Sequence, residues 1–124
     1  MTKTELKRIL QLYNQISPEL RERRRETVRR HYGRRYVINI PEWAWLLEEF
    51  ITEVVESEED AYFSKIILDC YVKGKKDKVI LSEYPISEST FYRWKRSFEE
   101  KVYELYIAAG FVSKSEIIEN KILG

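Results

Sequence analysis

Between Trp43 and Val55, apolar residues recur at Trp43, Leu46, Leu47, Phe50, Ile51, Val54 and Val55. This i, i+3, i+4, i+7 spacing draws one stripe along a helix and no pattern along a strand. It predicts a helix over 42–56, with its apolar side in a core and an acidic outer side. The pattern repeats elsewhere. Thr2 and Glu5 have the spacing of a capping box, and Leu6, Ile9, Leu10, Tyr13 and Ile16 follow at helical intervals. Glu58-Glu59-Asp60 precede Tyr62, Phe63, Ile66, Ile67, Cys70 and Tyr71 in another helical register that ends near Gly74. Only four glycines and three prolines punctuate 124 residues, so connections should be short. The expected fold is all-α, with about five or six helices and the last long helix in a C-terminal helix-turn-helix.

The first third reads differently. Ser17 and Pro18 have the form of a helix restart, a cap followed by a proline at the first helical position. They predict a second helix to about Tyr32, stopped by Gly33, with residues 34–41 as an extended connector into Pro41. That second helix would carry few apolar residues, chiefly Leu20, Val28 and Tyr32, and would need a partner to hold it. The expected division is therefore a basic N-terminal helical pair over 1–35, acting as an arm or oligomerisation element and dispensable for folding, and a helical core over 36–124.

A formal net charge of +1 conceals strong segregation. Residues 1–36 hold eleven Lys/Arg against four Glu, a balance of +7. Residues 42–69 hold one Lys against nine Asp/Glu, a balance of −8, and residues 73–101 hold eight Lys/Arg against five Asp/Glu, a balance of +3. Local charge thus says more about partners than the total does.

The stretch 77–109 is the one that points to a binding chemistry. A short segment, Asp77 to Tyr84, is broken by Pro85-Ile86, and Ser87 then caps a long helix opening with Glu88-Ser89-Thr90. A short helix, a three-residue break and a capped second helix make the helix-turn-helix outline. Projected at 100° per residue, Phe91, Trp94, Phe98, Val102 and Leu105 fall on one face. Ser89, Tyr92, Arg93 and Arg96 fall opposite, near the amino end, where such a helix meets base edges in the major groove of duplex DNA. Arginine can pair two-pronged with guanine, and Ser, Thr or Tyr hydroxyls can serve bases or phosphates. Lys95 on the flank and Lys73, Lys75, Lys76 and Lys78 upstream are candidates to neutralise phosphates. The candidate DNA-binding residues are Ser87, Ser89, Thr90, Tyr92, Arg93, Lys95, Arg96, Lys75, Lys76 and Lys78.

Residues Ile86-Ser87-Glu88-Ser89-Thr90-Phe91-Tyr92-Arg93-Trp94-Lys95 resemble the recognition-helix signature of phage transcriptional regulators of the RinA and ArpU families, themselves similar to the helix-turn-helix of sigma-factor region 4. Leu6 to Tyr13, followed by Arg21-Glu22-Arg23-Arg24, also resembles the RinA amino terminus. The likeness covers about residues 4–26 and 63–112, while 34–60 has no counterpart. It implies activation of phage or prophage genes by binding near a promoter, in the cytoplasm of a bacterial host.

Other chemistries find little support. His31 is the only histidine and Cys70 the only cysteine, so zinc-site spacing and an intrachain disulfide are both ruled out. There is no glycine-rich phosphate loop and no nucleophile elbow, and Glu48-Glu49 and Glu58-Glu59-Asp60 read as solvated helix faces. An enzyme, a cofactor and a membrane span are not expected. Double-stranded DNA is the expected partner; RNA polymerase and a second copy of the chain remain open as protein partners. Two alternatives stand beside the regulator: a small terminase subunit that recognises phage DNA for packaging, and a helical protein-interaction adaptor that binds no DNA.

Overall fold

The computed structural model describes residues 1–31 and 33–123. It is mostly helical, as expected, with six α-helices among the described residues and one two-stranded hairpin. No helix there is long and apolar enough to cross a membrane.

Helix α1 spans Lys3–Arg21 and opens as the capping box predicts, with the Thr2 hydroxyl accepting the Glu5 N–H and donating to the Glu5 carboxylate. The break expected at Ser17-Pro18 does not occur. Leu6, Ile9, Leu10, Tyr13, Ile16 and Leu20 form one buried stripe that runs past the proline, while Pro18 faces solvent. Burying Ile16 and Leu20 on that stripe, at about 1.5–3 kcal/mol each, offsets the ~3 kcal/mol cost of an interior proline. These six residues belong to the main core, so α1 is part of the folded body and not a detachable arm.

Among the described residues the second helix of the expected pair is absent, and Tyr32, its expected end, lies outside them. After α1, Arg23 takes φ 57. The Arg23 N–H reaches the Leu20 carbonyl at 3.2 Å and the Arg24 N–H the Glu19 carbonyl at 2.8 Å, which is the Schellman way of ending a helix. The chain then forms strands β1 (Glu26–His31) and β2 (Arg34–Asn39), antiparallel, with Glu26 opposite Asn39 and His31 opposite Arg34. Gly33, just before β2, takes φ 76, a left-handed conformation favoured in hairpin turns. Thr27, Val28, Tyr36, Val37 and Ile38 are β-formers, and too few apolar residues recur at helical spacing to compete. The connector expected at 34–41 is extended, but most of it is strand.

Ile40 and Pro41 lead through a tight 3-10 turn (Glu42–Leu46) into α2 (Leu47–Ser57). Helix α3 (Ala61–Ile67) is capped by Asp60, whose carboxylate accepts the Tyr62 and Phe63 N–H groups, and it runs on as a wider π-type turn over Leu68–Val72. Gly74 follows at φ 69, and a side chain there would collide with the Asn14 amide, so the end of this segment is seated against α1. Helices α4 (Asp77–Glu83) and α5 (Glu88–Ala108) follow, then α6 (Lys114–Leu123). The last adds to the helices expected from apolar spacing, and its signal is a capping box in which Ser113 and Glu116 exchange bonds of 3.0 and 3.2 Å.

Two clusters hold the fold. The larger gathers α1, the 3-10 turn, α2, α3 and the rear of α5, with Tyr106 edge-on to Trp43 and Phe50 at 5.3 and 4.6 Å and Tyr71 stacked on Phe98 at 4.9 Å. The smaller is Ile66, Ile80 and Phe91, all wholly buried, and it locks α4 and the front of α5 to α3. Trp94 is half-buried and packs against both clusters.

Candidate nucleic-acid interface

Helix α4 ends at Glu83 and α5 begins after Ser87, so the break lies where the sequence places it. The Ser87 hydroxyl accepts the Thr90 N–H at 3.2 Å and donates to the Thr90 hydroxyl at 2.9 Å, with the Ser89 hydroxyl 3.3 Å away. This satisfies one of the orphan donors of the helix start and fixes where α5 begins. Ser87 and Thr90 are thereby committed to the cap, and their hydroxyls are only partly available for other bonds.

A buried carboxylate links the end of the α3 segment to the turn after α4. Asp69 is 4% exposed and lies in the π-type turn. Its Oδ2 accepts from the Tyr84 hydroxyl at 2.7 Å and lies 3.6 Å from the Lys75 ammonium, while its Oδ1 lies 3.3 Å from Lys73. Burial alone would raise the Asp69 pKa, but the bonds from Tyr84 and Lys73 and the charge of Lys75 outweigh it and hold the group below the ordinary carboxylate value. Lys75 also bonds Glu83 at 2.9 Å. That bond first, and then the Asp69 charge, raises the Lys75 pKa.

A second carboxylate occupies the candidate surface itself. Asp77, at the start of α4, accepts from the Tyr92 hydroxyl at 3.3 Å and from Lys95 at 3.5 Å. Lys95 also lies over the Phe91 ring at 5.4 Å. Desolvation, and then the Asp77 charge, raises the Tyr92 phenol above its usual pKa.

The candidate residues therefore divide into two groups. Ser89, Tyr92, Arg93 and Arg96 share the outer face of α5 and are exposed, as are Lys76 and Lys78 around the start of α4. Among the described residues, no carboxylate pairs with Arg93, Arg96, Lys76 or Lys78. Lys75, Lys95 and the Tyr92 hydroxyl are tied to carboxylates and work first within the fold. Of the residues expected inside, Phe91, Phe98 and Val102 are buried, while Trp94 and Leu105 are half-buried. Tyr103 and Tyr106 join the core as well, beyond the single face that helical projection marks.

The fold adds cations that spacing could not supply. Lys3 and Lys7 of α1 share a small cleft with Arg96, Glu99 and Glu100, and Lys7 lies 3.9 Å from Glu99. Only a contact between residues about ninety positions apart reveals this. On another face, Glu48, Glu49, Glu53 and Glu56 line an open groove of about 750 Å³ beside Trp45 and Leu20, where Arg21 pairs with Glu48 at 3.4 Å. Among the described residues, no group of His, Cys, Asp and Glu is arranged to hold a metal ion, and burial pushes the Cys70 thiol up to about 11, which disfavours the thiolate at neutral pH.

No protein-family model matches the chain, and comparisons with curated proteins and with solved structures gave no significant match.

Proposed function

We propose that the protein binds duplex DNA sequence-specifically as a transcriptional regulator, with α5 as the recognition helix. The observation that supports this most is the outer face of α5, where Ser89, Tyr92, Arg93 and Arg96 are exposed at the amino half of a capped helix whose opposite face is in the core. Such a helix can present Ser89, Arg93 and Arg96 to base edges, with Lys76 and Lys78 available to phosphates. The likeness of 86–95 to RinA- and ArpU-type regulators extends the proposal to activation of phage or prophage genes in a bacterial host.

Titration of labelled duplex at several salt concentrations tests the reading. Log affinity should fall linearly with log salt, because each phosphate neutralised releases counterions. On a site selected from random duplexes, Arg93→Ala should cost about 1–3 kcal/mol at the site carrying the contacted base, with an unchanged melt. Arg96→Ala should weaken all sequences alike and flatten the slope by about one unit. No binding at low salt, or a flat plot, would overturn the DNA reading. A ring of eight or more subunits would move the function to DNA packaging.

A further inference from the structure

The hairpin and its base carry a charge arrangement that the helix-turn-helix does not explain. Residues 21–35 contain eight arginines and two glutamates. Arg21 pairs with Glu48 and Arg24 with Glu22. Arg23, Arg25, Arg34 and Arg35 are exposed, and among the described residues no carboxylate pairs with them. The strand register places Arg30 opposite Arg35, two arginines at paired positions. That opposes strand pairing, in a ribbon of only two strands. A polyanion bound along the ribbon would remove the repulsion.

The Schellman turn that launches the hairpin points the same way. The position that ends α1 has φ 57 and is filled by Arg23. Glycine is favoured there, because any Cβ is strained at that φ. A long cation thus occupies a site where local stability prefers no side chain, the kind of local conflict expected at a functional position.

We infer that the β1–β2 hairpin, with Arg23 and Arg25 at its base, is a second DNA-contacting element: a basic ribbon that lies along the phosphates of duplex DNA and adds sequence-independent affinity to the reading by α5. This rests on the proposed DNA function. A two-stranded ribbon has the width to enter a major groove or follow its rim, and guanidinium groups pair well with phosphate oxygens.

Salt titrations of the full chain with labelled duplex, on a selected site and on scrambled sequence, provide the test. Replacing Arg34 and Arg35 together by alanine should flatten the log–log slope by roughly 0.9 for each phosphate no longer neutralised, about two units in all. The loss of affinity should be equal on both sequences. Arg23→Gly should raise the melting temperature and yet flatten the slope by about one unit, a combination that a merely structural role would not give. Wild-type slopes in both variants, with the parent protein binding DNA and Arg93→Ala impairing the selected site, would overturn the hairpin assignment and leave the recognition helix standing. If the parent binds no duplex, both readings fall. Hairpin-dependent binding of single-stranded RNA in place of duplex DNA would also overturn it.

Discussion

The two basic regions of this molecule hold their charge in different ways. Around the helix-turn-helix, Lys73 and Lys75 close on buried Asp69, Lys75 also on Glu83, and Lys95 on Asp77. Much of that positive charge goes into fixing α4 and α5 in place, and what reaches solvent unpaired among the described residues is a short set: Lys76, Lys78, Arg93 and Arg96. In the hairpin and its base, Arg25, Arg34 and Arg35 are exposed with no described carboxylate partner, and the register sets arginine against arginine. A count of basic residues therefore measures neither how much charge a partner can use nor what holds the region together. One region uses ion pairs as architecture, and the other presents its charge on a ribbon mounted at the end of α1.

The largest expected effect tests the mounting. Removing residues 1–22 strips six buried apolar side chains from the main core. At about 1.5–3 kcal/mol each, that is comparable to the whole stability of a domain, about 5–15 kcal/mol. The remaining chain should lose its cooperative thermal melt, whereas Arg34→Ala with Arg35→Ala should keep it. A cooperative melt in the truncated chain would show that α1 is an accessory after all.

Phe91→Ala comes next. It empties a wholly buried site between Ile66 and Ile80 and should cost about 3–5 kcal/mol in denaturant unfolding. A loss below about 1 kcal/mol, far under the usual cost of such a cavity, would mean that the small cluster does not hold the turn.

Asp69→Asn sharpens the contrast in how charge is used. It weakens the bonds to Tyr84, Lys73 and Lys75, and about 1.5–3 kcal/mol should be lost at neutral pH, the range for hydrogen bonds to a charged group. The folded pKa of Asp69 lies below its unfolded value near 3.8. Its stabilisation is therefore full above that value and disappears as pH falls through the folded pKa. The stability gap between wild type and the Asp69→Asn variant should close in strong acid. A gap that stayed constant with pH would remove Asp69 from its role as an ionic anchor.

The helices were legible where apolar spacing was long and the caps were plain. The 43–55 stripe marks α2 and its opening turn, and Ser87 after Pro85-Ile86 marks the start of α5. Thr27-Val28, Tyr36-Val37-Ile38 and the glycine between them carry a hairpin signal, overshadowed by the capping pattern at Ser17-Pro18. Ser113 and Glu116 mark α6 in the same way that Thr2 and Glu5 mark α1. On the candidate site, the outer face of α5 follows from helical projection alone, since a helix with one face buried must present the other.

By itself, then, the sequence determined a mostly helical chain and a capped C-terminal helix with Ser89, Tyr92, Arg93 and Arg96 on one side, because these depend on periodicity and on bonds spanning three or four residues. Tertiary structure decided the rest. Whether α1 passes through Pro18 depends on what Leu20 finds to pack against. Whether Lys75 and Lys95 are free depends on Asp69, Glu83 and Asp77, and Lys3 and Lys7 join Arg96 only because α1 is packed against α5. Each of these joins residues distant in the chain, where the energy comes from burial and Coulomb attraction across elements and leaves no trace in local spacing.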